Sequence, residues 1–478
     1  MTSTPSRGCN DRVMVHRVEK TVAELAREIT RHWDTQLCWV VGWALAAVWA
    51  LGFPLVSHLE THRVWGLSAG IGYACAATVT YWKPGPRART AGLAIALAGA
   101  VVLPLTYLVL TGAQQSEVGV IERSGVLMLR QATPYLAHPH HVVDYTPYLP
   151  GMSLFGMPRA LLGEGAWPLR LLGDARIWCA LAFISCLWAG RRVLRPPLTA
   201  AGATRRGRLP YGTAMAVLTA SPPVALALCV SGVDLPLAGL CCLALAFAAR
   251  GRYVAAGLAL AAACSLKWTA WPAIAVAVAL VGCVRGGRAA WRCAGVAVTG
   301  TLVVVLPSAL LSPAAMVQQV IAFPTGRGGV ETPADSPLPG RLLTELGPVG
   351  WYAAVGLLLI GALVVIASLV LRPPADAASA AQCLAIGLCV GFLLAPAGRF
   401  GYLALPVVLM VWARCAAPER RTRVVGSGVS RTGEARESGL APSGERCASA
   451  TVDEYTVRRT RTTGGPGAVS SAHAEAGR

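Results

Sequence analysis

Charged residues are scarce in this sequence: Asp, Glu, Lys and Arg make up 14% of its 478 residues, whereas 55% are hydrophobic. A soluble chain of this length would divide into a few compact domains with mixed polar surfaces. Here the apolar residues form long blocks of roughly 15 to 22 residues, with neither strand alternation nor a heptad pattern. The scarcity of charge therefore argues against a soluble multidomain protein and indicates an integral membrane protein.

Several common functional signatures are also missing from the sequence. Its 15 cysteines show neither zinc-ligand spacing nor a disulfide framework, and most lie inside apolar runs. It has no glycine-rich phosphate loop and no recognisable soluble nucleotide-binding domain. No internal repeat of the kind common in transporters is visible. The first apolar run starts near residue 36 and is long enough to span, so we expect no signal peptide.

The apolar blocks predict an all-α integral membrane protein, a polytopic bundle of about twelve transmembrane helices. Helix is required because a backbone in lipid must satisfy its own hydrogen bonds, and these runs are too long and uniformly apolar for barrel strands. The predicted spans are residues 36–57, 64–82, 91–111, 175–190, 212–231, 235–249, 253–267, 269–284, 293–311, 349–371, 380–396 and 402–416.

The distribution of basic residues predicts the orientation, because positively charged loops are retained in the cytoplasm. With a cytoplasmic N-terminus, the cytoplasmic segments hold about 32 of the 42 Lys and Arg residues. We therefore expect a multi-pass protein of the plasma membrane with both termini in the cytoplasm. Retention of positive charge in the cytoplasm explains the arginine clusters better than nucleic-acid binding does. We therefore expect these residues to contact anionic membrane lipid, and we expect no nucleic-acid partner.

The chain divides into four predicted regions. Residues 1–35 form a cytoplasmic lead, and residues 36–90 form two additional N-terminal transmembrane helices. Residues 91–416 form the main transmembrane core, with long extracytoplasmic loops at 112–174 and 312–348. Residues 417–478 form a basic cytoplasmic tail whose polar composition predicts disorder. Long loops often carry binding or catalysis, which places the functional site outside the cytoplasm.

The first long loop opens with a predicted helix that carries two carboxylates. Residues 117–130 suit a helix, and Glu117 and Glu122 lie five positions apart in it. Because successive residues turn by about 100°, these carboxylates point about 140° apart, and only one of them can face a given cavity. Each is a candidate catalytic group, with a solvated loop acid or a charge favoured by the helix dipole as the alternative.

Farther along this loop, the segment HPHHVVDYTPYLPGM concentrates histidines, an acid and tyrosines. The candidate groups are His138, His140, His141, Asp144, Tyr145 and Tyr148. Three histidines and an acid could ligate a divalent ion, but the spacing matches no known metal pattern, and we expect no metal. The alternatives are a proline-restrained loop with interfacial tyrosines, or rings that stack on a sugar.

Charged residues near the membrane supply further candidates. Asp234 and Lys267 fall at extracytoplasmic helix ends, where such groups face a cavity, a partner or the headgroups, or pair with each other. Arg327, Arg399 and Tyr402 lie in later extracytoplasmic segments. Arginine offers a planar, bidentate donor for a phosphate, although each arginine could instead be an interfacial anchor.

The order of several motifs resembles glycosyltransferase family 87, which has the GT-C architecture. The resemblance covers roughly residues 95–415 and is carried by EVGVIERSG, TPYL, DYTPYLPGM, GDARIW, SGVDLPL, SLKWTAWP, GVETPADSPLPG and PAGRFGYLALP. It implies a membrane hexosyltransferase, usually a mannosyltransferase, that moves a sugar from a polyprenyl-phosphate donor to a lipid or glycan acceptor at the extracytoplasmic face. The lipid-phosphate sugar is then a substrate, and no cofactor is expected.

The resemblance also implies roles for particular residues. An acid in the first large extracytoplasmic loop acts as the base, which by position is Glu117, where family members commonly have Asp; Glu122 and Asp144 are reserves. The expected substrate-binding residues are His141, Tyr145, Tyr148, Asp234, Lys267, Arg327, Arg399 and Tyr402. Two readings from other classes stay open, namely a transporter or flippase of a lipid-linked or polar substrate, and a non-catalytic membrane scaffold.

Overall fold

Helices dominate the computed structural model, which describes residues 35–83, 85–194, 210–330, 332 and 334–416. The predicted N-terminal lead, apart from Thr35, and the predicted tail at 417–478 lie outside the described residues. The described helices are, in chain order, α1 Thr35–Val56, α2 Glu60–Trp82, α3 Pro86–Leu110, α4 Ser116–Gln131, α5 Met157–Leu162, α6 Trp167–Gly173, α7 Ala175–Leu194, α8 Tyr211–Ala220, α9 Pro222–Val230, α10 Leu235–Ala249, α11 Tyr253–Leu266, α12 Pro272–Arg285, α13 Gly287–Leu311, α14 Pro313–Met316, α15 Pro339–Thr344, α16 Pro348–Leu371, α17 Ala377–Leu394 and α18 Ala404–Ala416.

Seven of the described helices are long and apolar enough to cross a membrane. They are α1, α3, α7, α12 with the turn before it, α13, α16 and α17. Helices α8 and α9 bend by 63° at their junction and make an eighth span if they are counted together. The chain is thus an all-helical, multi-pass membrane protein. The predicted span 212–231 is divided between α8 and α9, and each of the other eleven coincides with one helix. Helix α2 is not among the helices that are apolar enough to cross, and α10, α11 and α18 are shorter apolar helices. Twelve crossings are therefore not established by length and composition.

The backbone of α3 widens into a π-helical turn over Ala98–Val102, and this turn binds α2. The N–H of Leu103 donates to Ala98, which leaves the Gly99 carbonyl free to accept from Ser68 Oγ at 2.8 Å. Pro104 has no N–H to offer the Ala100 carbonyl, which instead accepts from Trp65 Nε1 at 2.9 Å. The π turn therefore anchors the N-terminal helices to the core.

A second anchor for α2 lies at the bend between α8 and α9. Pro222 and Pro223 begin α9 and supply no backbone donors, so the helix cannot continue unbroken through this point. The hydroxyl of Tyr73, a buried residue of α2, donates to the Ala220 carbonyl at 2.5 Å. Side chains of α2 thus satisfy carbonyl groups at two separate breaks in the core helices.

Helix α4 rests directly on the backbone of the turn that precedes α5. A Cβ atom added at Gly125 would lie 2.3 Å from the carbonyl carbon of Gly156, and one added at Gly156 would lie 2.0 Å from the Ile121 carbonyl oxygen. Both contacts are with backbone, which cannot move aside as a side-chain end can. These two glycines therefore set how closely α4 approaches the rest of the loop.

We expect Gly156→Ala to lower the free energy of unfolding by about 1–3 kcal/mol, because an overpacked contact forces the backbone of α4 outward. The measurement is thermal unfolding of the purified protein in detergent. Gly165→Ala is the matched control, because its Cβ would meet no atom within 4 Å. Equal melting temperatures for the two variants would show that α4 does not need this close contact.

Candidate active site

Glu117 lies in the first turn of α4, where the positive end of the helix dipole favours a carboxylate. Its Oε1 atom accepts a hydrogen bond from a guanidinium N–H of Arg399, which lies 282 positions later in the chain. Its Oε2 atom lies 3.5 Å from the hydroxyl of Ser116. The side chains of Glu117 and Arg399 are 18% and 28% exposed, so the ion pair is partly open to its surroundings.

A second ion pair joins Asp234, at the start of α10, to Lys267, at the end of α11. The Lys267 Nζ atom lies 2.8 Å from Asp234 Oδ1, which is the mutual pairing considered from the sequence. The ammonium also lies 4.5 Å from the centre of the Tyr402 ring and 5.7 Å from that of Tyr148. Aromatic faces attract a cation at such distances, so the two rings and the carboxylate hold Lys267 in place.

Tyr402 connects the two ion pairs. It belongs to a short 3-10 turn, Phe400–Leu403, that follows Arg399 directly, and its N–H donates to the Arg399 carbonyl at 3.0 Å. Its ring is the one that lies against the Lys267 ammonium. Tyr402 thus links the Glu117–Arg399 pair to the Asp234–Lys267 pair, and we call these five residues the candidate site.

The first long loop also contributes Tyr148 to the candidate site. The N–H of Leu149 donates to the Leu266 carbonyl at 2.9 Å, and Tyr135 Oη donates to the Tyr148 carbonyl at 3.0 Å. These bonds fix Tyr148 beside Lys267. Burial, together with the nearby Asp234 carboxylate, raises the pKa of Tyr148 well above its ordinary value. The phenol is therefore neutral and can offer a hydrogen.

Glu122 faces away from the candidate site, as the angle between the two α4 carboxylates requires. It is buried, accepts from the Ala175 N–H at 3.3 Å and lies 3.3 Å from Arg159 Nε. Burial raises the pKa of Glu122, with Arg159 acting in the opposite direction. Asp174 also raises it. The position of Glu122 is that of a group that attaches α4 to the start of α7.

Asp144 and His141 form a small capping arrangement of their own. Asp144 Oδ2 accepts from the N–H groups of His141 at 2.8 Å and His140 at 3.1 Å. The hydrogen bond from His141 lowers the pKa of Asp144, and Arg123, 4.0 Å away, acts in the same direction. Within the described ranges, no group of three or more His, Cys, Asp or Glu side chains is arranged to hold a metal ion.

Tyr145 and Arg327 contact residues of the second long loop and of α16. The buried Tyr145 ring stacks on Phe323 with a centroid distance of 4.5 Å. Arg327 lies 3.8 Å above the Trp351 ring and 3.4 Å from the Tyr352 hydroxyl. The contacts described for these two residues do not join them to the candidate site, so their substrate-binding roles stay predictions.

A buried charge network around Asp174 was not predicted from the sequence. Arg176 is fully buried, and its guanidinium donates hydrogen bonds to both carboxylate oxygens of Asp174, at 2.9 and 2.8 Å. It also donates to the carbonyls of Cys229 at 2.9 Å and Ala113 at 3.1 Å. Arg159 lies 3.7 Å from the same Asp174. The network thus joins α7, the end of α9 and the segment that leads into α4.

The candidate site belongs to a polytopic helical membrane protein and contains two carboxylates, each paired with a cation. The sequence pattern that defines glycosyltransferase family 87 matches residues 145–396. This match spans more than half of the 478 residues, and the chain therefore belongs to glycosyltransferase family 87. Tyr148, Asp234 and Lys267 lie inside the matched range, whereas Glu117, Arg399 and Tyr402 lie outside it.

Among solved structures, the chain is similar to the crystal structure of ArnT from Cupriavidus metallidurans bound to undecaprenyl phosphate. The two are 17% identical, with a TM-score of 0.41, and the match covers 68% of this chain. The chain spans only 60% of the ArnT chain it matches. No curated protein matches the chain.

Proposed function

We propose that this glycosyltransferase moves a hexose, and specifically mannose, from a polyprenyl-phosphate donor to a lipid or glycan acceptor at the extracytoplasmic face. The observation that carries the proposal is the convergence of Glu117, Arg399 and Lys267 in one cluster. A carboxylate can accept a proton from a hydroxyl, and two cations can bind a phosphate. The ArnT structure holds undecaprenyl phosphate, which is the same class of lipid phosphate as the proposed donor.

The reaction assigns one task to each charged group. Glu117 takes the proton from an acceptor hydroxyl as its oxygen forms a bond to the anomeric carbon of the donor sugar. The bond from that carbon to the phosphate oxygen breaks, and the lipid phosphate leaves with the bonding electrons. Arg399 and Lys267 stabilise the charge that develops on the phosphate, which is often the largest catalytic contribution. Tyr402 lies beside Lys267, where its ring can flank the sugar.

The proposed topology has twelve crossings, both termini in the cytoplasm and the candidate site in the outer leaflet. Glu117, Asp234 and Arg399 follow the third, fifth and eleventh predicted spans, and Lys267 ends the seventh. Twelve alternating crossings would therefore bring all four to one face. Their contacts with one another support that count. Arg192, Arg250 and Arg285 follow even-numbered spans and belong to the opposite face, which agrees with retention of positive charge in the cytoplasm.

The direct test supplies the purified protein with a radiolabelled polyprenyl-phosphate mannose and a membrane extract as acceptor. We expect label to move to a lipid or glycan product without any nucleotide sugar. A labelled nucleotide sugar used in place of the lipid donor would overturn the proposal. Transport of label into vesicles without a covalent product would instead favour a transporter or flippase, and inactivity in both assays would favour a scaffold.

We expect Lys267→Gln to lower turnover about a hundredfold, because it removes a cation that stabilises the departing phosphate. The measurement is initial rate at saturating donor. Lys83→Gln is the matched control, since Lys83 is exposed at the end of α2, far along the helix from the site. The double variant Lys267→Gln with Asp234→Asn leaves no unpaired acid, and should be equally slow. Recovery of the rate in the double variant would show that the slower turnover of Lys267→Gln comes from the unpaired Asp234 carboxylate.

A further inference from the structure

Both carboxylate oxygens of Glu117 already have a donor beside them. The Arg399 guanidinium donates to Oε1, and the Ser116 hydroxyl lies 3.5 Å from Oε2. A base must come within hydrogen-bond reach of the proton that it removes. The guanidinium occupies one of the positions on Oε1 through which an acceptor hydroxyl could bind, and its positive charge weakens the carboxylate as a proton acceptor. In this state Glu117 is therefore masked.

The two cations of the candidate site are both ion-paired with carboxylates of the chain. Arg399 pairs with Glu117, and Lys267 pairs with Asp234. A lipid phosphate that enters the candidate site therefore has to compete with a carboxylate for a cation. Arg399 is the more accessible of the two, with a side chain 28% exposed against 11% for Lys267. Its planar guanidinium also matches a phosphate in a bidentate geometry.

The backbone of Arg399 is held while its side chain remains at the edge of the cluster. Gly398 donates to the Ala334 carbonyl and accepts from the Ser336 N–H, each at 3.0 Å. The N–H of Phe400 donates to Ser336 Oγ at 3.3 Å. These bonds fix the backbone on both sides of Arg399, so an exchange of the Glu117 contact can proceed by movement of the side chain while the backbone stays in place.

We propose that the phosphate of the donor takes Arg399 from Glu117, so that the base is released only when the donor is bound. This inference rests on the proposed function, in which Glu117 is the base. The donor then binds before proton transfer can occur, and acceptor that arrives first meets a masked carboxylate. The same guanidinium holds the base in the resting enzyme and the phosphate during the reaction.

Competition between Glu117 and the lipid phosphate for Arg399 can be measured as the affinity for undecaprenyl phosphate, which lacks the sugar. We expect Glu117→Gln to bind this lipid about three- to tenfold more tightly than the wild type, because the partly exposed ion pair no longer competes for Arg399. Binding is measured by titration calorimetry on protein in lipid nanodiscs. Glu164→Gln is the control for net charge, because Glu164 lies in the same loop and is 75% exposed. Its affinity should equal that of the wild type.

Two further variants connect the gain to Arg399. Arg399→Gln should bind the lipid phosphate more weakly than the wild type, and adding Glu117→Gln to it should restore no affinity. Glu117→Ala repeats the test with a smaller side chain, and unchanged thermal unfolding shows that each variant is folded. Equal or weaker binding by both Glu117 variants would overturn the masking proposal. If those variants also fail to transfer sugar, the base assignment stands without the masking.

Discussion

Replacing Glu117 with Gln is expected to lower sugar transfer by about a hundredfold to ten-thousandfold, the usual contribution of a positioned general base. Gln keeps the size of the side chain and an oxygen that can still accept from Arg399, but it cannot take up the acceptor proton. The variant should therefore fold and unfold like the wild type. The measurement is single-turnover transfer of labelled mannose, which separates the chemical step from binding.

The control for this variant is Glu117→Asp, which retains a carboxylate in the first turn of α4. Because Asp can still accept a proton at this position, this variant should keep measurable turnover. Full turnover by a folded Glu117→Gln protein would remove Glu117 from the role of base. Glu122 and Asp144 would then be the remaining candidates, although both are engaged elsewhere in the structure.

Replacing Asp174 with Ala is expected to lower the free energy of unfolding by about 3–5 kcal/mol, because it leaves the fully buried Arg176 without its carboxylate partner. The loss should also loosen α4, since Arg159 links Asp174 to Glu122. Thermal unfolding in detergent measures the first effect, and the rate of proteolysis in the first long loop measures the second.

Glu164→Ala is the matched control for Asp174→Ala, because Glu164 also lies near Arg159 but is largely exposed. An exposed pair at 4.0 Å contributes little, so this variant should melt like the wild type. The double variant Asp174→Ala with Arg176→Met replaces the buried charges by apolar groups and should recover part of the loss. An Asp174→Ala protein that melts at the wild-type temperature would show that the network is not structural.

The positions of the helices and the orientation of α4 could be read from the sequence because both depend on local pattern. Apolar blocks mark helices because a backbone in lipid must satisfy its own hydrogen bonds, and eleven of the twelve predicted spans coincide with one helix each. The twelfth, at 212–231, is broken at Pro222 into α8 and α9. The helix predicted at 117–130 is observed at Ser116–Gln131. The angle between Glu117 and Glu122 also follows from helical geometry, and they pair with different arginines.

The pairing partners could not be read from the sequence because they depend on long-range packing. Arg399 and Glu117 are 282 positions apart, and nothing local indicates that they meet. Arg176 was hidden within the start of a predicted span, and its role depends on the carbonyls of Cys229 and Ala113. Long-range packing also decides the number of membrane crossings. A short apolar helix such as α10 either crosses the membrane or is buried within the protein, depending on the helices that pack against it.

The hydrogen bonds of α2 tie the N-terminal hairpin, formed by α1 and α2, to the core helices. This hairpin lies outside the matched family range. Ser68, Trp65 and Tyr73 complete the hydrogen bonds of carbonyl oxygens that the π turn and the proline bend leave without helical donors. A shortened chain that began at Pro86 would remove these three donors, and Ala100 would keep only the contact from Cys229 Sγ at 3.4 Å. A buried carbonyl without its donor costs about 1–3 kcal/mol. The hairpin thus supplies hydrogen-bond donors that the broken turns of its neighbours lack, and we expect the folding unit of this protein to extend beyond the matched family range.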